Sequence, residues 1–484
     1  MSNHSSQTTL LHRRRTKIVA TVGPASRDPA VLEALLRAGV NVFRLNLSHG
    51  DHADHRANFN TIRAVSAAAG EPVAVLADLC GPKIRVGRFA GGRITLEKGQ
   101  AVTVTTRNVL GEPGLIPSQY AALAEDVRSG DRILLDDGML ELHVDSVAGS
   151  DIACRVTTGG VLKDRKGMNL PNVLVSSPAL TDKDRDDAHF ALDLDVDFLA
   201  LSFVRRPSDV ADLKALIDAA GANTPVIAKI EKPEALDAID EILDAADGLM
   251  VARGDLGVEL APEAVPIVQH DLIERARLGH KPIIVATQML ESMIEHPRPT
   301  RAEVSDVSHA VFAGADAVML SAETASGAYP IKAVEMMDRV ARQVEGWQWI
   351  ERAFRALTAH ERERRPPLPL REAVARSTVQ LSRDLEVRAI VVRTLHGTSA
   401  EVVAATRPAA PIIALTMNPH VFRRMNLIWG VIPRLIDASE FECPQSAARR
   451  HACELGLADK GHTILLLAGF GGGEPMITVL PIGG

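Results

Sequence analysis

AVLADLCGPKIRVG, residues 74–87, begins as a continuous apolar strand and reaches an acid at Asp78. It then turns at Gly81-Pro82 and carries Lys83 and Arg85 two residues apart. Upstream lie two similar runs, KIVATVG (17–23) and NVFRLNLS (41–48), and this strand itself starts at VAVLADL (73–79). Downstream the character changes for about a hundred residues, and then the same kind of run returns five times. These are FLALSFV (198–204), PVIAKIE (225–231), GLMVARG (248–254), PIIVATQ (282–288) and AVMLSAE (317–323). Continuous Val/Ile/Leu strands separated by helical patterns indicate a parallel sheet covered by helices. Eight of them is the number that closes a (β/α)8 TIM barrel.

The interruption, 86–178, reads as short alternating strands: GRITLEKG, AVTVTT, RILLDDG and MLELHVDSV, with Asp136-Asp137-Gly138 as a tight hairpin turn. It is an all-β domain inserted after the third barrel strand, over the face where barrel chemistry occurs, and it reads as a lid. After the eighth strand a helical pattern runs to about residue 356, followed by the charged, Pro-rich break HERERRPPLPLR (360–371). The βα alternation resumes with AIVVRT, PIIALT, GVIPRLI and HTILLLAG. The expected organisation is an N-terminal tail (1–15), a barrel (16–85 and 179–356), a lid (86–178) and a C-terminal α/β domain (372–484).

The bulk properties agree. A chain of 484 residues, 46% hydrophobic and 24% charged, supports two to four packed domains. A net charge of −7, with only the short His12–Arg15 basic run, argues against nucleic-acid binding. No apolar run approaches the roughly 18 residues that span a bilayer, and MSNHSSQTTLLHRRR lacks the apolar core of a secretory signal. Cys80, Cys154, Cys443 and Cys453 are scattered, as free thiols in a reducing cytoplasm would be.

Polar residues in barrel strands need a reason, and here they cluster at the C-terminal ends. Arg44, Asn46 and Ser48 alternate with Phe43, Leu45 and Leu47, so period two puts the polar set on one face. Lys229 and Glu231 share a face likewise. Asp78, Arg253-Gly254-Asp255, Thr287-Gln288, and Ser321 with Glu323 end four further strands. Buried charges are costly unless paired or bound to a ligand, and this rim is where barrel catalysis sits. Glu231 and Asp255 suit Mg²⁺, which takes one or two protein carboxylates and completes its shell with water and substrate oxygens. Arg44, Arg85, Lys166 and Lys229 suit an anionic, phosphorylated substrate. In VARGDLGV (251–258), Gly254 lets backbone amides approach a carboxylate or phosphate. Neither a P-loop nor a dinucleotide fingerprint is present. Spacing alone therefore reaches a Mg²⁺-dependent barrel enzyme acting on a small phosphorylated or carboxylated anion under a lid, and does not name the reaction.

TKIVATVGPAS (16–26), RLNLSHG (44–50), GPKIR (81–85), KGMNLP (166–171), AKIEKPEAL (228–236), VARGDLGVEL (251–260), ATQMLESM (286–293), RPTRAEVSDV (298–307) and LSAETASGAYP (320–330) together resemble the pyruvate kinase family. The resemblance implies a barrel, a β lid and a C-terminal α/β regulatory domain. It implies phosphoryl transfer from phosphoenolpyruvate to ADP in the last step of glycolysis, in a cytoplasmic homotetramer with RPTRAEVSDV near one subunit contact. It also implies roles. Glu231 and Asp255 would bind the divalent metal, Mg²⁺ or Mn²⁺. Lys229 would stabilise the phosphoryl group in flight and the enolate. Arg44, Asn46, His49, Arg85 and Lys166 would serve the nucleotide and the transferring phosphates. The amides of Gly254 and Asp255, with Thr287, would hold the substrate carboxylate. Thr287 would stand near the route of enolate protonation, with Ser321 and Glu323 as weaker candidates for that relay.

The resemblance further implies a monovalent-cation site, usually for K⁺, at Asn46, Ser48, Asp78 and the Leu79 carbonyl. The common family form carries a Glu where this chain has Lys83. Members with that Lys, a bacterial-type subgroup, are generally K⁺-independent, and a tethered ammonium beside Asp78 predicts the same here; a solvent-facing Lys83 over an intact K⁺ site is the alternative. In the C-terminal domain TLHGTS, with Thr394, Gly397, Thr398 and Ser399, keeps the form of a phosphate-binding loop for a sugar-phosphate or AMP effector. The final glycine loop, GFGGGEPMITV (469–479), has lost the family's hydroxyls, and its Glu474 would oppose a phosphate. Two other readings stand beside this one: a metal-dependent pyruvate-enolate lyase or aldolase on a related barrel, and a catalytically silent metabolite-binding homologue. The lid and the nucleotide-facing cations argue against the first. The presence of Lys229, Glu231, Asp255 and Thr287 argues against the second.

Overall fold

A computed structural model describes residues 13–350, 367–469 and 475–483. Eight parallel strands close into a barrel. They are β1 (Lys17–Thr21), β2 (Val42–Asn46), β3 (Ala74–Asp78) and, after eight lid strands, β12 (Phe198–Leu201), β13 (Val226–Ile230), β14 (Gly248–Ala252), β15 (Ile283–Ala286) and β16 (Ala317–Leu320). Their order around the barrel is β1-β16-β15-β14-β13-β12-β3-β2. Every expected barrel strand is present, each shorter at its C-terminal end than the apolar run that announced it. Arg44, Asn46, Asp78 and Lys229 still lie within the ladder, while the other polar rim residues fall just beyond it. Ser48 lies in a turn, Thr287 in a loop, and Asp255 on the short helix Arg253–Glu259.

Alternation decides which side chains go where. Phe43, Leu45, Val75 and Ala77 face the surrounding helices, in one core with Leu32, Leu35 and Ile62. Val42, Ala74, Leu76, Ile227 and Met250 fill the barrel interior. That interior also contains Leu427, which comes from the C-terminal α/β unit and plugs the barrel's lower end.

The lid strands are β4 (Arg93–Leu96), β5 (Ala101–Thr105), β6 (Leu115–Pro117), β7 (Arg132–Leu135), β8 (Leu140–Ala148), β9 (Asp151–Thr158), β10 (Gly160–Lys163) and β11 (Met168–Asn169). They form a six-stranded sheet, β11-β7-β8-β9-β5-β6, and a β10-β4 pair, around a separate apolar core. The β7–β8 connection is the expected tight turn. Asp137 and Gly138 both have positive φ, 54° and 83°, and Met139 N–H donates to the Asp136 carbonyl at 3.1 Å.

In the C-terminal unit β17 (Ile390–Arg393), β18 (Ile412–Thr416), β19 (Val431–Leu435) and β20 (Thr463–Ala468) are parallel, in the order β19-β18-β17-β20. One correction arises here. The stretch read as a terminal loop contains an antiparallel edge strand, β21 (Met476–Pro481), paired to β20. Glu474 and the three glycines just before it, 471–473, lie outside the described residues. Among the described residues no helix is long and apolar enough to cross a membrane.

Candidate active site

At the C-terminal rim, β2, β3 and the end of β13 bring four charged side chains, Arg44, Asp78, Lys229 and Glu231, into one buried cluster. Asp78, 1% exposed, accepts from Arg44 Nε at 2.6 Å through one oxygen and pairs with Lys229 Nζ at 3.1 Å through the other. Lys229 Nζ also lies 3.0 Å from Glu231 Oε1 and donates to Ser202 Oγ at 2.5 Å. Burial alone would raise the Asp78 pKa, but the Lys229 ammonium and the Arg44 guanidinium outweigh it and hold it below the usual carboxylate range. Burial would likewise strip Lys229 of its proton; Asp78 and Glu231 overcome that and raise its pKa. The two carboxylates thus favour the charged ammonium.

Glu231 stands between opposing influences. Burial raises its pKa, Lys229 lowers it and the negative charge of Asp255 raises it, with a net rise. Its second oxygen accepts from the Phe203 amide at 2.7 Å. Two carboxylates held close enough to repel form a donor set fit for a hard divalent cation. Among the described residues no third His, Cys, Asp or Glu joins them. Such a cation would complete its shell with water and substrate oxygens, as Mg²⁺ does.

The helix Arg253–Glu259 presents Gly254 and Asp255 at the same rim. Arg253, 7% exposed, contacts both Asp306 oxygens (2.6 and 2.7 Å) and donates to the Thr287 carbonyl at 2.6 Å. Thr287 has φ 66°, a conformation uncommon for a β-branched residue, and its hydroxyl accepts from the Gly254 amide at 2.7 Å. A Cβ at Gly254 would meet that hydroxyl at 3.4 Å, an ordinary van der Waals contact, so the amide-to-hydroxyl bond and not a lack of space marks this position.

Three comparisons bear on this arrangement. Residues 13–334 match the family model described as pyruvate kinase, barrel domain, and residues 372–479 the one described as pyruvate kinase, alpha/beta domain. The chain belongs to the pyruvate kinase family. It is 45% identical to the pyruvate kinase of Staphylococcus saprophyticus over 465 residues, 95% of this chain and 78% of that one. It is 44% identical to that of Mycobacterium intracellulare over 460 residues, 94% and 95% of the two chains. A crystal structure of a pyruvate kinase from Cryptosporidium parvum superposes with a TM-score of 0.91 at 36% identity, covering 97% of this chain and 96% of that one.

Against the pyruvate kinase expectations, Arg44, Asp78, Lys229 and Glu231 meet directly, and Thr287 meets Gly254. Partial burial and the charges of Arg85, Arg44 and Lys83 hold the His49 pKa below its usual value, which places those three cations around it. Asn46 accepts from the Ser48 amide at 3.2 Å. The placement of Lys83 differs from expectation, and Leu79, Lys166 and Glu323 each have a partner of their own. Lys83 pairs with Asp255 at 3.1 Å rather than standing beside Asp78, whose oxygens face Arg44 and Lys229. The Leu79 carbonyl accepts the Ser202 hydroxyl at 2.7 Å. Lys166 remains on the lid, paired with Asp136 at 2.7 Å. Glu323 is committed to the Ser321 and Leu290 amides, at 2.7 and 3.2 Å, and braces two rim loops.

Ser202 escaped the sequence reading although FLALSFV ends at the same rim as the other polar residues. Asp184 escaped it too. Its buried carboxylate accepts from the Gly81 amide at 3.0 Å, fixing the turn that carries Lys83. Gly81 has φ 66°, and a Cβ there would lie 2.7 Å from the Phe203 ring and 2.8 Å from Ser202 Cβ. In the C-terminal unit the Thr394 hydroxyl accepts from the Gly397 amide at 2.9 Å, just ahead of the helix Thr398–Ala405.

Proposed function

We infer that this chain is a phosphotransferase that moves the phosphoryl group of phosphoenolpyruvate to ADP, giving pyruvate and ATP. A β-phosphate oxygen of ADP forms the new P–O bond as the bond to the enol oxygen breaks. The enolate left behind takes one proton at C3. The observation that carries this reading is the Lys229 ammonium held between Asp78 and Glu231 at the barrel rim, on a chain that the family models match over most of its length.

Residue roles follow from chemistry. Lys229 faces the charge that builds on the phosphoryl group and then on the enolate oxygen. Arg44 serves the transferring phosphates while tying Asp78 in place. Gly254, Asp255 and Thr287 receive the substrate carboxylate; Arg253 supports them by fixing the Thr287 carbonyl. Asn46, His49, Arg85 and Lys166 serve the nucleotide. The family depends on a divalent metal, and Mg²⁺ or Mn²⁺ at Glu231 and Asp255 would supply charge neutralisation between phosphate and enolate oxygens. Chain segments 16–85 and 179–356 would be the barrel, 86–178 the lid and 372–484 the regulatory unit, in a cytoplasmic homotetramer. Thr394, Gly397, Thr398 and Ser399 would take a sugar phosphate or AMP.

K⁺ independence is part of the same reading. Asp78 is already doubly compensated, and Lys83 adds a further fixed positive charge at the rim, so another monovalent cation would meet repulsion. The test is coupled pyruvate formation from phosphoenolpyruvate, ADP and Mg²⁺ in tetramethylammonium buffer with and without K⁺. Equal activity in both supports the whole reading. Activity only with K⁺ keeps the reaction and removes the lysine argument. No activity in either, with sugar phosphate and AMP added, would leave a silent homologue.

A further inference from the structure

The lid crosses back to the barrel just after β11, where a buried polar contact does not belong to the substrate site. Glu259, the last residue of the helix that carries Gly254 and Asp255, is 6% exposed. Its Oε1 accepts from Lys232 Nζ at 2.6 Å and from Asn169 Nδ2 at 3.1 Å. Lys232 follows β13 and is 8% exposed; Asn169 ends β11 and is 7% exposed. Glu259 Oε2 is buried with no hydrogen-bond partner, so the carboxylate is held by one oxygen alone. A cavity of about 30 Å³ runs alongside, lined by Glu259, Lys232, Asn169, Asp255 and Lys83. Burying an ion pair at a junction of three elements costs desolvation that a water-filled hinge would avoid. Such an arrangement persists where it fixes geometry.

We propose that Glu259, Lys232 and Asn169 act as a pin that sets the position of the lid's Lys166 relative to Asp255, and are thus positioning residues for phosphoryl transfer. Asn169 lies three residues beyond Lys166 on the same segment, and Glu259 lies one helical turn beyond Asp255. Lys232 fixes the same carboxylate to the strand that presents Lys229 and Glu231. One buried carboxylate thus references the lid cation, the anion cradle and the ammonium to each other. The proposal rests on the reading of Lys166 as a phosphate-positioning cation.

The full-length enzyme tests it in two half-reactions. Asn169→Asp sets a second carboxylate against Glu259, and Asn169→Ser is too short to reach it. Both variants should lower turnover with phosphoenolpyruvate and ADP about tenfold and raise KM for ADP. Exchange of pyruvate C3 hydrogens with deuterated solvent uses Lys229 and Thr287 but not Lys166. Measured with Mg²⁺ and inorganic phosphate, it should stay within about twofold of wild type. Adding Glu259→Gln to Asn169→Asp lets the new amide donate to the new carboxylate, and should restore most of the turnover. Equal loss in both half-reactions would make the cluster merely structural and overturn the pin. So would wild-type turnover in both Asn169 variants alongside an impaired Lys166→Met. Wild-type turnover in Lys166→Met would overturn the reading of Lys166, and the pin's purpose with it.

Discussion

At the scale of single residues, the rim depends on charges that cannot be removed one at a time. Lys229→Met takes away the positive group aimed at the developing charge, and turnover should fall about 10²–10³-fold in the coupled assay. Asp78→Asn should do more to stability than to specificity. It leaves Arg44 and Lys229 buried without their shared anion, and urea unfolding should register a loss of about 3–5 kcal/mol. Lys17 is the opposite case. It is 6% exposed, and burial together with Arg14 pushes its pKa down to about 7, against 10.5 unfolded. The unfolded chain binds that proton below pH 10.5 and the folded chain only below 7, so the lysine's cost grows by about 1.4 kcal/mol per pH unit as pH falls across that window. Lys17→Met should raise the melting temperature most at pH 7 and below, and the gain should vanish towards pH 10.5. Alternation made Lys229 and Glu231 legible, because a strand shows its polar face every second residue, and Asp78 stood out as an acid ending a continuous apolar run. The partner of Lys83 was not legible, since Asp255 lies more than 150 residues further along the chain and only closure of the barrel brings the two together.

Among elements, the helix Arg253–Glu259 bears the most constraint for its length. Arg253 locks its first turn to Asp306 and the Thr287 carbonyl, and Glu259 locks its last. Arg253→Lys keeps the charge but loses the planar fork that meets two partners at once. It should cost about 2 kcal/mol and raise KM for phosphoenolpyruvate several-fold, read by denaturation and initial rates. The barrel strands were legible because apolar runs of that length have few other uses. The second half of the lid was less so. DIACRVTT buries Ile152, Cys154 and Val156 at alternate positions but has small or weakly apolar residues, Ala153 and Cys154, among them, GVLK is four residues long, and β6 and β11 are too short to show a period. The terminal strand β21 was read as a loop because the glycine run dominated its neighbourhood.

For the whole molecule, Leu427 couples two units that sequence separates by a charged linker. Its side chain packs among the residues of the barrel interior, so the turn Met425–Leu427 ties the C-terminal unit to the barrel's core. Leu427→Ala should cost about 2–5 kcal/mol, and calorimetry should show the barrel and the C-terminal unit beginning to melt separately. The lid has a different consequence, for how the chain finds its fold. Strands β3 and β12 are neighbours in the barrel, yet Asp78 and its partner Ala200 are more than a hundred residues apart. Joining them through an unstructured loop of that length would be slow, since the entropy of closure precedes any contact that rewards it. The lid has its own apolar core, and Arg85 and Gly167 bridge its two ends. Once the lid has condensed, that long excursion shrinks to a short staple, and β3 arrives beside β12 almost as if the insertion were absent. On that argument, condensation of the lid should precede pairing of β3 with β12. Leu142→Ala in the lid core should slow refolding of the barrel while leaving the barrel's own residues untouched.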